Sequence, residues 1–254
     1  MLQNNIEEFR SSVEANKKNL GAKVQLAEVS KGLVIFSCCF TAFIFILFLL
    51  HISGALSSVY VGVFNKGGKY ERAVSIFDSV PIKNGDVVFL GDSITEGGAW
   101  DEFFENRVTR NRGIGGDTTS GLLARLHQIN RSEPSSIFLM IGTNDIYFGV
   151  AEDEIVENIL TIIDLLSNSS KETKIFLQSI LPRASKYKDR VEAINKKVRE
   201  RLPLGVTYID LYPHFLDEHG VAIDTRFSND ALHLNGDGYL IWREIIKALV
   251  VEHG

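Results

Sequence analysis

The sequence predicts an α/β protein in which one N-terminal transmembrane helix precedes a doubly wound parallel sheet of five strands. Apolar strand-like runs alternate with helix-like segments from Asp86 onward. This alternation is typical of a parallel sheet with helices on both faces. Upstream of it, no Asp, Glu, Lys or Arg occurs between Gly32 and Asn65. Glycine-containing polar stretches follow several strand-like runs, where α/β proteins bind their ligands.

The uncharged stretch is long enough to cross a hydrocarbon core of about 30 Å as a helix. We therefore predict a cytoplasmic tail over residues 1–31, a transmembrane signal anchor over 32–56, a linker over 57–69 and a globular domain over 70–254. Basic residues are denser before the stretch than after it, which predicts a cytoplasmic N-terminus and an extracytoplasmic domain, periplasmic in a Gram-negative bacterium. The preceding lysines are Lys17, Lys18, Lys23 and Lys31, and the following ones are Lys66 and Lys69.

A cleaved signal peptide is the alternative to an anchor, with Ser53 and Ala55 as the small residues of its cleavage site. The anchor is favoured because roughly 30 polar residues precede an apolar run that exceeds an h-region of about 7–15 residues. Cys38 and Cys39 both lie in this run, where they are interpreted as small apolar side chains. The predicted domain contains no cysteine and must be stable without disulfide bonds.

The composition is that of a globular protein, with 45% hydrophobic residues, 23% charged residues and a formal net charge of −5. Lys and Arg do not cluster among aromatic residues, so we expect no nucleic-acid partner.

The predicted elements follow in order along the domain. A helix with one apolar face comes first, over Tyr70–Ser79. The strand candidates are Val87–Leu90, Val108–Arg112, Ile137–Ile141, Lys174–Ser179 and Val206–Ile209. The helix candidates between and after them are Ala99–Asn106, Thr119–Ile129, Asp153–Leu166, Lys188–Arg201 and Gly238–Val250.

The turn Gly91-Asp92-Ser93 ends the first strand candidate. A serine at the carboxyl end of a buried strand, preceded by a glycine that permits a tight turn, is well placed to be a nucleophile. The alternative is that Asp92 or Ser93 caps the following helix.

Two further polar stretches follow predicted strands. Residues 111–119 contain three glycines, and this loop lacks the spacing of a phosphate or dinucleotide loop. Asn144, in Gly142-Thr143-Asn144-Asp145, is interpreted either as a turn former or as a side-chain donor to a developing oxyanion. Ile146, Tyr147 and Phe148 follow it and could line an acyl pocket or belong to the core.

Asp230 and His233 are the candidates for the acid and the base of a hydrolase triad. Such a triad needs an imidazole to take the serine proton and a carboxylate to hold the imidazole tautomer. Alone, this spacing also fits a helix-capping Asp followed by a surface His. His214 is the second candidate for the base.

The blocks around Ser93, Gly116, Asn144 and His233 occur in the order typical of the SGNH (GDSL-type) hydrolases, which the sequence resembles over residues 86–250. The loop at 111–119, Leu181-Pro182-Arg183 and His233-Leu234 also look like the branch that contains the platelet-activating-factor acetylhydrolase catalytic subunits. The membrane anchor departs from that branch, which is typically cytosolic. The resemblance implies the flavodoxin-like SGNH hydrolase fold.

The resemblance also implies roles for these residues. Ser93 would be the nucleophile, His233 the base and Asp230 its orienting acid, while the backbone N–H groups of Ser93 and Gly116 and the side chain of Asn144 would form the oxyanion hole. It implies no cofactor and no metal.

We therefore expect a serine esterase that acts on acetyl or short-acyl esters of carbohydrate or lipid near a membrane. An O-acyltransferase that uses the same triad is an alternative, and a non-catalytic carbohydrate- or lipid-binding module is a second one.

Overall fold

The computed structural model of the protein describes residues 36–37, 39–45, 68–129 and 131–253. The chain divides into two compact units, Met1–Leu56 and Ser57–Gly254. The predicted tail, most of the predicted membrane span and most of the linker lie outside the described residues, as does Cys38. Residues 36–37 and 39–45 are helical, and Cys39 is exposed there. Among the described residues, no helix combines the length and the apolar character that crossing a bilayer requires.

The second unit is built on a five-stranded parallel sheet, as predicted. Its strands are β1 Val87–Gly91, β2 Thr109–Gly113, β3 Ser136–Met140, β4 Lys174–Gln178 and β5 Val206–Ile209. Their spatial order is β2-β1-β3-β4-β5. This is the flavodoxin-like order, whose switch point lies between β1 and β3. The carboxyl ends of all five strands therefore share one edge.

Eight labelled helices accompany the described strands. They are α1 Lys69–Ser79, α2 Ser93–Glu96, α3 Trp100–Phe103, α4 Thr119–Arg125, α5 Thr143–Phe148, α6 Glu152–Ser169, α7 Lys188–Glu200 and α8 Gly236–His253. Single 3₁₀ turns lie at Leu126–Gln128, Ser185–Tyr187 and Tyr212–Phe215.

The sheet separates two hydrophobic cores, because side chains alternate along each strand. Val88 and Leu90 of β1 belong to one core, while Val87 and Phe89 belong to the other. In the second core, Phe89 stacks on Trp100 with ring centroids 4.0 Å apart and on Phe138 at 5.2 Å. Each large apolar side chain buried in this way contributes about 1.5–3 kcal/mol. The cores hold β1 rigid up to the residue where the polar turn begins.

Two predicted helices are shorter than expected. The prediction over Ala99–Asn106 becomes α3, which ends at Phe103 because Phe104 leaves helical geometry (φ −130°) and stacks against Phe89 in the core. The prediction over Thr119–Ile129 becomes α4 followed by a 3₁₀ turn, since Arg125 adopts φ −110° and ψ 8°. In both places tertiary contacts override the local helical pattern.

Candidate active site

Ser93 is the first residue of α2 and directly follows the turn that ends β1. The turn requires glycine at position 91, because a Cβ there would lie 2.2 Å from the carbonyl oxygen of Met140 and 2.3 Å from Thr95 Oγ1. Asp92 caps α2, its Oδ1 accepting from the N–H of Ile94 at 3.0 Å. Asp92 is therefore the helix cap, and Ser93 is left half-buried at the edge of the sheet.

The short helix α2 is fixed from both sides. The Asn111 side chain in β2 donates to the carbonyl oxygens of Thr95, Glu96 and Gly98 at 3.0–3.1 Å, which serves the C-terminal end of α2. The Tyr239 hydroxyl in α8 donates to the carbonyl oxygen of Ile94 at 2.7 Å. A four-residue helix is unstable by itself, so these tertiary bonds hold Ser93 in place.

Ser93, His233 and Asp230 form a continuous hydrogen-bonded chain. Ser93 Oγ lies 3.0 Å from His233 Nε2, and His233 Nδ1 lies 2.7 Å from Asp230 Oδ2. With Asp230 ionised, Nδ1 carries the hydrogen and Nε2 accepts from the serine hydroxyl. The side chains of His233 and Asp230 are 47% and 54% exposed, so this chain is open to solvent on the histidine side. His214, the second candidate for the base, is exposed in the 3₁₀ turn after β5.

Asp230 is held as an ionised acceptor. Its Oδ1 accepts from the backbone N–H groups of His233 at 2.7 Å and Leu232 at 3.0 Å. Partial burial raises the pKa of Asp230, but the hydrogen bonds from His233 and Leu232 outweigh it and hold this pKa at about 2. Ala231 adopts φ 59°, a left-handed conformation that costs a non-glycine residue about 1–2 kcal/mol. The loop that presents the Asp–His pair is thus locally strained.

Gly116 lies in the loop after β2, at the third position of a tight turn. The N–H of Asp117 donates to the carbonyl oxygen of Ile114 at 3.1 Å, and Gly116 has φ 78°. A turn of this kind needs a positive φ at its third position, which glycine adopts without steric cost.

A buried ion pair stabilises the loop that carries Gly116. Arg125 Nε lies 2.8 Å from Asp117 Oδ2, and both side chains are almost completely buried. Arg125 Nη2 also donates to the carbonyl oxygens of Gly91 at 3.0 Å and Arg112 at 2.9 Å. Arg125 therefore ties the loop after β2 to the end of β1.

Asn144 is the second residue of α5, which begins shortly after the end of β3. Gly142 has φ 123°, which allows the sharp transition from strand to helix. Asn144 Nδ2 donates to the carbonyl oxygen of Asp117 at 2.8 Å, so the side chain bridges two loops as well as beginning a helix. The neighbouring Asp145 is buried and accepts from Thr119 Oγ1 at 2.7 Å. These bonds link the segments after β2 and β3, and the bond from Arg125 to Gly91 adds the end of β1.

Two buried carboxyl groups near Ser93 bind protons more readily than usual. Burial raises the pKa of Asp92 to about 7 against the Ile94 hydrogen bond, and the carboxylates of Asp117 and Asp145 raise it further. Burial likewise raises the pKa of Asp145 to about 6, against the hydrogen bonds from Thr119. Burial of these two carboxyl groups therefore favours their protonated forms.

The residues after Asn144 divide between core and surface. Ile146 is buried in the core, whereas Tyr147 is 60% exposed. One polar residue of this region had no role in the prediction: the Arg183 guanidinium, in the loop after β4, lies 5.9 Å from the Tyr147 ring centroid. The sequence signal for it is Leu181-Pro182-Arg183. Within the described ranges, no group of three or more His, Cys, Asp or Glu side chains is placed to hold a metal ion.

Comparison with known proteins matches the region that carries this site. A model described as the GDSL-like Lipase/Acylhydrolase family matches residues 89–241. Platelet-activating factor acetylhydrolase IB subunit alpha2 of Rattus norvegicus is 32% identical over an alignment of 168 residues, which covers 62% of this chain and 72% of that protein. A GDSL-like lipase from Bacteroides thetaiotaomicron superposes with a TM-score of 0.60 at 23% identity, covering 72% of this chain and 97% of that one. An acetyl xylan esterase superposes with a TM-score of 0.55 at 20% identity, covering 65% of this chain and 99% of that one. These two structural likenesses show a shared fold.

Proposed function

The chain belongs to the GDSL-like lipase/acylhydrolase family and is an ester-bond hydrolase, and we propose that it is a serine esterase using Ser93, His233 and Asp230. The observation that carries the proposal is the hydrogen-bonded chain from Ser93 Oγ through the His233 imidazole to the Asp230 carboxylate, at 3.0 and 2.7 Å. A weakly nucleophilic hydroxyl becomes reactive when such a base removes its proton.

The acylation step forms one bond and breaks another. His233 Nε2 takes the Ser93 proton while Oγ attacks the ester carbonyl carbon. The tetrahedral intermediate collapses as the bond from carbon to the alcohol oxygen breaks, and the imidazolium returns the proton to that oxygen. Asp230 stays ionised throughout and stabilises the imidazolium. Water, deprotonated by the same His233, then attacks the acyl carbonyl carbon. The bond from that carbon to Ser93 Oγ breaks, the carboxylic acid leaves, and the imidazolium returns the proton to Oγ.

Three donors are assigned to the oxyanion of the tetrahedral intermediate: the backbone N–H groups of Ser93 and Gly116 and the Asn144 side-chain amide. An amide NH₂ group has two N–H donors. One of those of Asn144 is used by the Asp117 carbonyl oxygen. We assign the second to the oxyanion, where a preorganised donor contributes about 3–4 kcal/mol to the transition state.

Short acyl esters with large alcohol groups are the proposed substrates, in particular acetyl esters of carbohydrate or lipid. The 32%-identical relative is named an acetylhydrolase. The exposure of His233 and Asp230 leaves the side from which the alcohol departs open to solvent, which accommodates a bulky alcohol.

A location at the outer face of a membrane completes the proposal. Residues 32–56 would act as the anchor, because Gly32 to Asn65 contain no Asp, Glu, Lys or Arg. Lysines are denser before this stretch than after it, which favours a cytoplasmic N-terminus. A reporter fused after Gly254 should be active in an extracytoplasmic compartment. Activity of a reporter that works only in the cytoplasm would contradict this orientation.

The direct test of the proposed function is hydrolysis of p-nitrophenyl esters of increasing acyl length by the full-length protein in detergent. Acetate and propionate esters should be hydrolysed faster than octanoate or longer esters, and the Ser93→Ala variant supplies the blank. A profile that rises with acyl length would contradict the short-acyl assignment. Absence of turnover on every ester would contradict esterase activity. Where turnover is seen, acetylated glycans and lysophospholipids are compared next to identify the preferred alcohol group.

A further inference from the structure

The loop after β4 reaches the same sheet edge as the proposed catalytic residues but contributes none of them. The loops after β1, β2 and β3 carry Ser93, Gly116 and Asn144, and the segment before α8 carries His233. Arg183 occupies the loop after β4, and it is only 7% exposed. A buried guanidinium at this position calls for a specific explanation, because charged side chains are rarely buried without a partner or a function.

The Arg183 side chain contacts the residue that precedes Asn144. Nη1 donates to the Thr143 carbonyl oxygen at 2.6 Å and lies 3.0 Å from Thr143 Oγ1. The guanidinium also stacks over the Tyr187 ring, 4.2 Å from its centroid. Since Arg183 holds Thr143 through a charge-assisted bond, it fixes the backbone from which the Asn144 amide projects.

The backbone of the loop after β4 also contacts the loop that carries the base. The N–H of Ala184 donates to the carbonyl oxygen of Ala231 at 3.1 Å, and Ala231 lies in its left-handed conformation between Asp230 and His233. The positive charge of Arg183 also acts on the carboxylates of Asp92 and Asp230. Arg183 and Ala184 thus connect the oxyanion side of the site to the base side.

The contacts of Arg183 satisfy only part of its guanidinium. Arg183 Nε is buried and has no hydrogen-bond partner, which leaves part of its desolvation uncompensated. Replacing a buried ion pair by apolar side chains of similar volume is often neutral or stabilising, so a buried charge is weak evidence for a role in stability. An arginine kept at such a position is better explained by the geometry it imposes on the site.

We propose that Arg183 is a positioning residue for the reaction: by holding Thr143, it sets the Asn144 amide relative to the Ser93–His233 pair. This inference rests on the proposed function. A residue of this kind acts on the transition state and not on ground-state binding, so its loss lowers kcat and leaves KM nearly unchanged. A guanidinium that bound an anionic group of the substrate would instead raise KM on removal.

The chain offers a matched control at the other end of α5. Arg190 Nη1 donates to the carbonyl oxygen of Ile146 at 3.1 Å, and Nη2 donates to that of Val150 at 2.5 Å. Arg190→Met therefore removes the same kind of bond from the C-terminal end of α5, away from the residue that precedes Asn144.

The experiment compares Arg183→Met, Arg183→Lys, Arg190→Met and Ser93→Ala in the full-length protein, with p-nitrophenyl acetate as substrate. Arg183→Met should lower kcat about 30- to 300-fold with KM within about threefold, and its Tm should fall only modestly, because the Thr143 carbonyl oxygen loses its donor. Arg183→Lys, which keeps the charge but not the planar fork, should lie in between. Arg190→Met should keep kcat within about threefold.

Several results would overturn the proposal. One is a kcat for Arg183→Met within about threefold of the wild type, and another is a rise in the KM of Arg183→Met with kcat unchanged. A third is a loss of kcat in Arg190→Met equal to that in Arg183→Met. Failure of both Arg183 variants to fold, measured by circular dichroism, would also overturn it, because the role would then be structural. Ser93→Ala distinguishes failure of the proposed function from failure of the role of Arg183. Full activity in Ser93→Ala contradicts the proposed function. An inactive Ser93→Ala beside a fully active Arg183→Met contradicts only the role of Arg183.

Discussion

The side chain of Asn144 donates to the backbone carbonyl of Asp117 at 2.8 Å, and this bond joins the loop after β3 to the loop after β2. Gly116 directly precedes Asp117, so two of the three donors assigned to the oxyanion belong to loops that are held together by one of those donors. The geometry of the proposed oxyanion hole therefore depends on Asn144 in two ways, as a donor and as a bridge.

Asn144→Ala should reduce kcat about 100- to 1,000-fold, because one preorganised donor to the transition state is lost. Tm should fall only slightly, since the lost bond lies at a half-buried loop. The rate and the Tm are measured together, with Asn158→Ala as the control: Asn158 is also half-buried and donates to Thr119 Oγ1 at 3.0 Å. A large drop in Tm with kcat per folded molecule unchanged would indicate that Asn144 is a structural turn former.

Asp230→Asn should lower kcat about 100- to 10,000-fold, because an amide does not fix the His233 tautomer as a carboxylate does. Asp237→Asn, an exposed aspartate in the first turn of α8, is the control and should keep full activity.

The same variant has a predicted effect on stability that depends on pH. The pKa of Asp230 is lowered from its ordinary 3.8 to about 2, so its ionised form stabilises the fold above pH 4. That contribution is lost as the pH falls from about 4 to 2. The Tm difference between Asp230→Asn and the wild type should therefore shrink over this range, and a constant difference would contradict the hydrogen-bonding scheme at Asp230.

Asp92→Asn should raise the Tm more at pH 8 than at pH 5. Burial raises the pKa of Asp92 from 3.8 to about 7, so the folded state binds a proton that the unfolded state has released. The stability contribution of this group therefore falls as the pH rises from about 4 to 7. Asparagine keeps an oxygen for the Ile94 N–H but cannot become charged, and it should add stability on the order of a few kcal/mol at pH 8. Equal Tm shifts at both pH values would show that Asp92 titrates normally.

Gly91→Ala should destabilise the fold and abolish esterase activity. The new Cβ would lie 2.2 Å from the Met140 carbonyl oxygen, and strand β3 cannot move away without disrupting the sheet. The expected loss is about 3 kcal/mol or more, measured by urea unfolding. Gly236→Ala is the control, since its Cβ meets no atom within 4 Å and should leave stability within about 0.5 kcal/mol.

The strands were predicted well from the sequence because their apolar runs are local signals. Val206–Ile209 matches β5 at both ends, and Val87–Leu90 differs from β1 by one residue. Helix ends were predicted less well: Phe104 leaves α3 to stack on Phe89, a contact made across the core that no local pattern reveals.

The residues of the candidate site were likewise predictable where they lie in a local motif and not where they depend on contacts between loops. Ser93, Asn144, Asp230 and His233 each occur in a short motif beside a strand or helix end, so their types and spacing suggested their chemistry. The partners of Arg125 and Arg183 lie in other loops, and the contacts Arg125–Asp117 and Arg183–Thr143 become visible only in the fold. The bridge from Asn144 to Asp117 likewise depends on the parallel order of β2, β1 and β3.

Ser93 is the proposed nucleophile, and His233 is the base that activates it. The most direct measurement is to react the full-length protein with a fluorophosphonate and to locate the covalent adduct by peptide mass spectrometry. One adduct per chain is expected, on Ser93, with labelling absent in Ser93→Ala and at least about 100-fold slower in His233→Ala. An adduct on another residue, or labelling of Ser93→Ala at the wild-type rate, would contradict it.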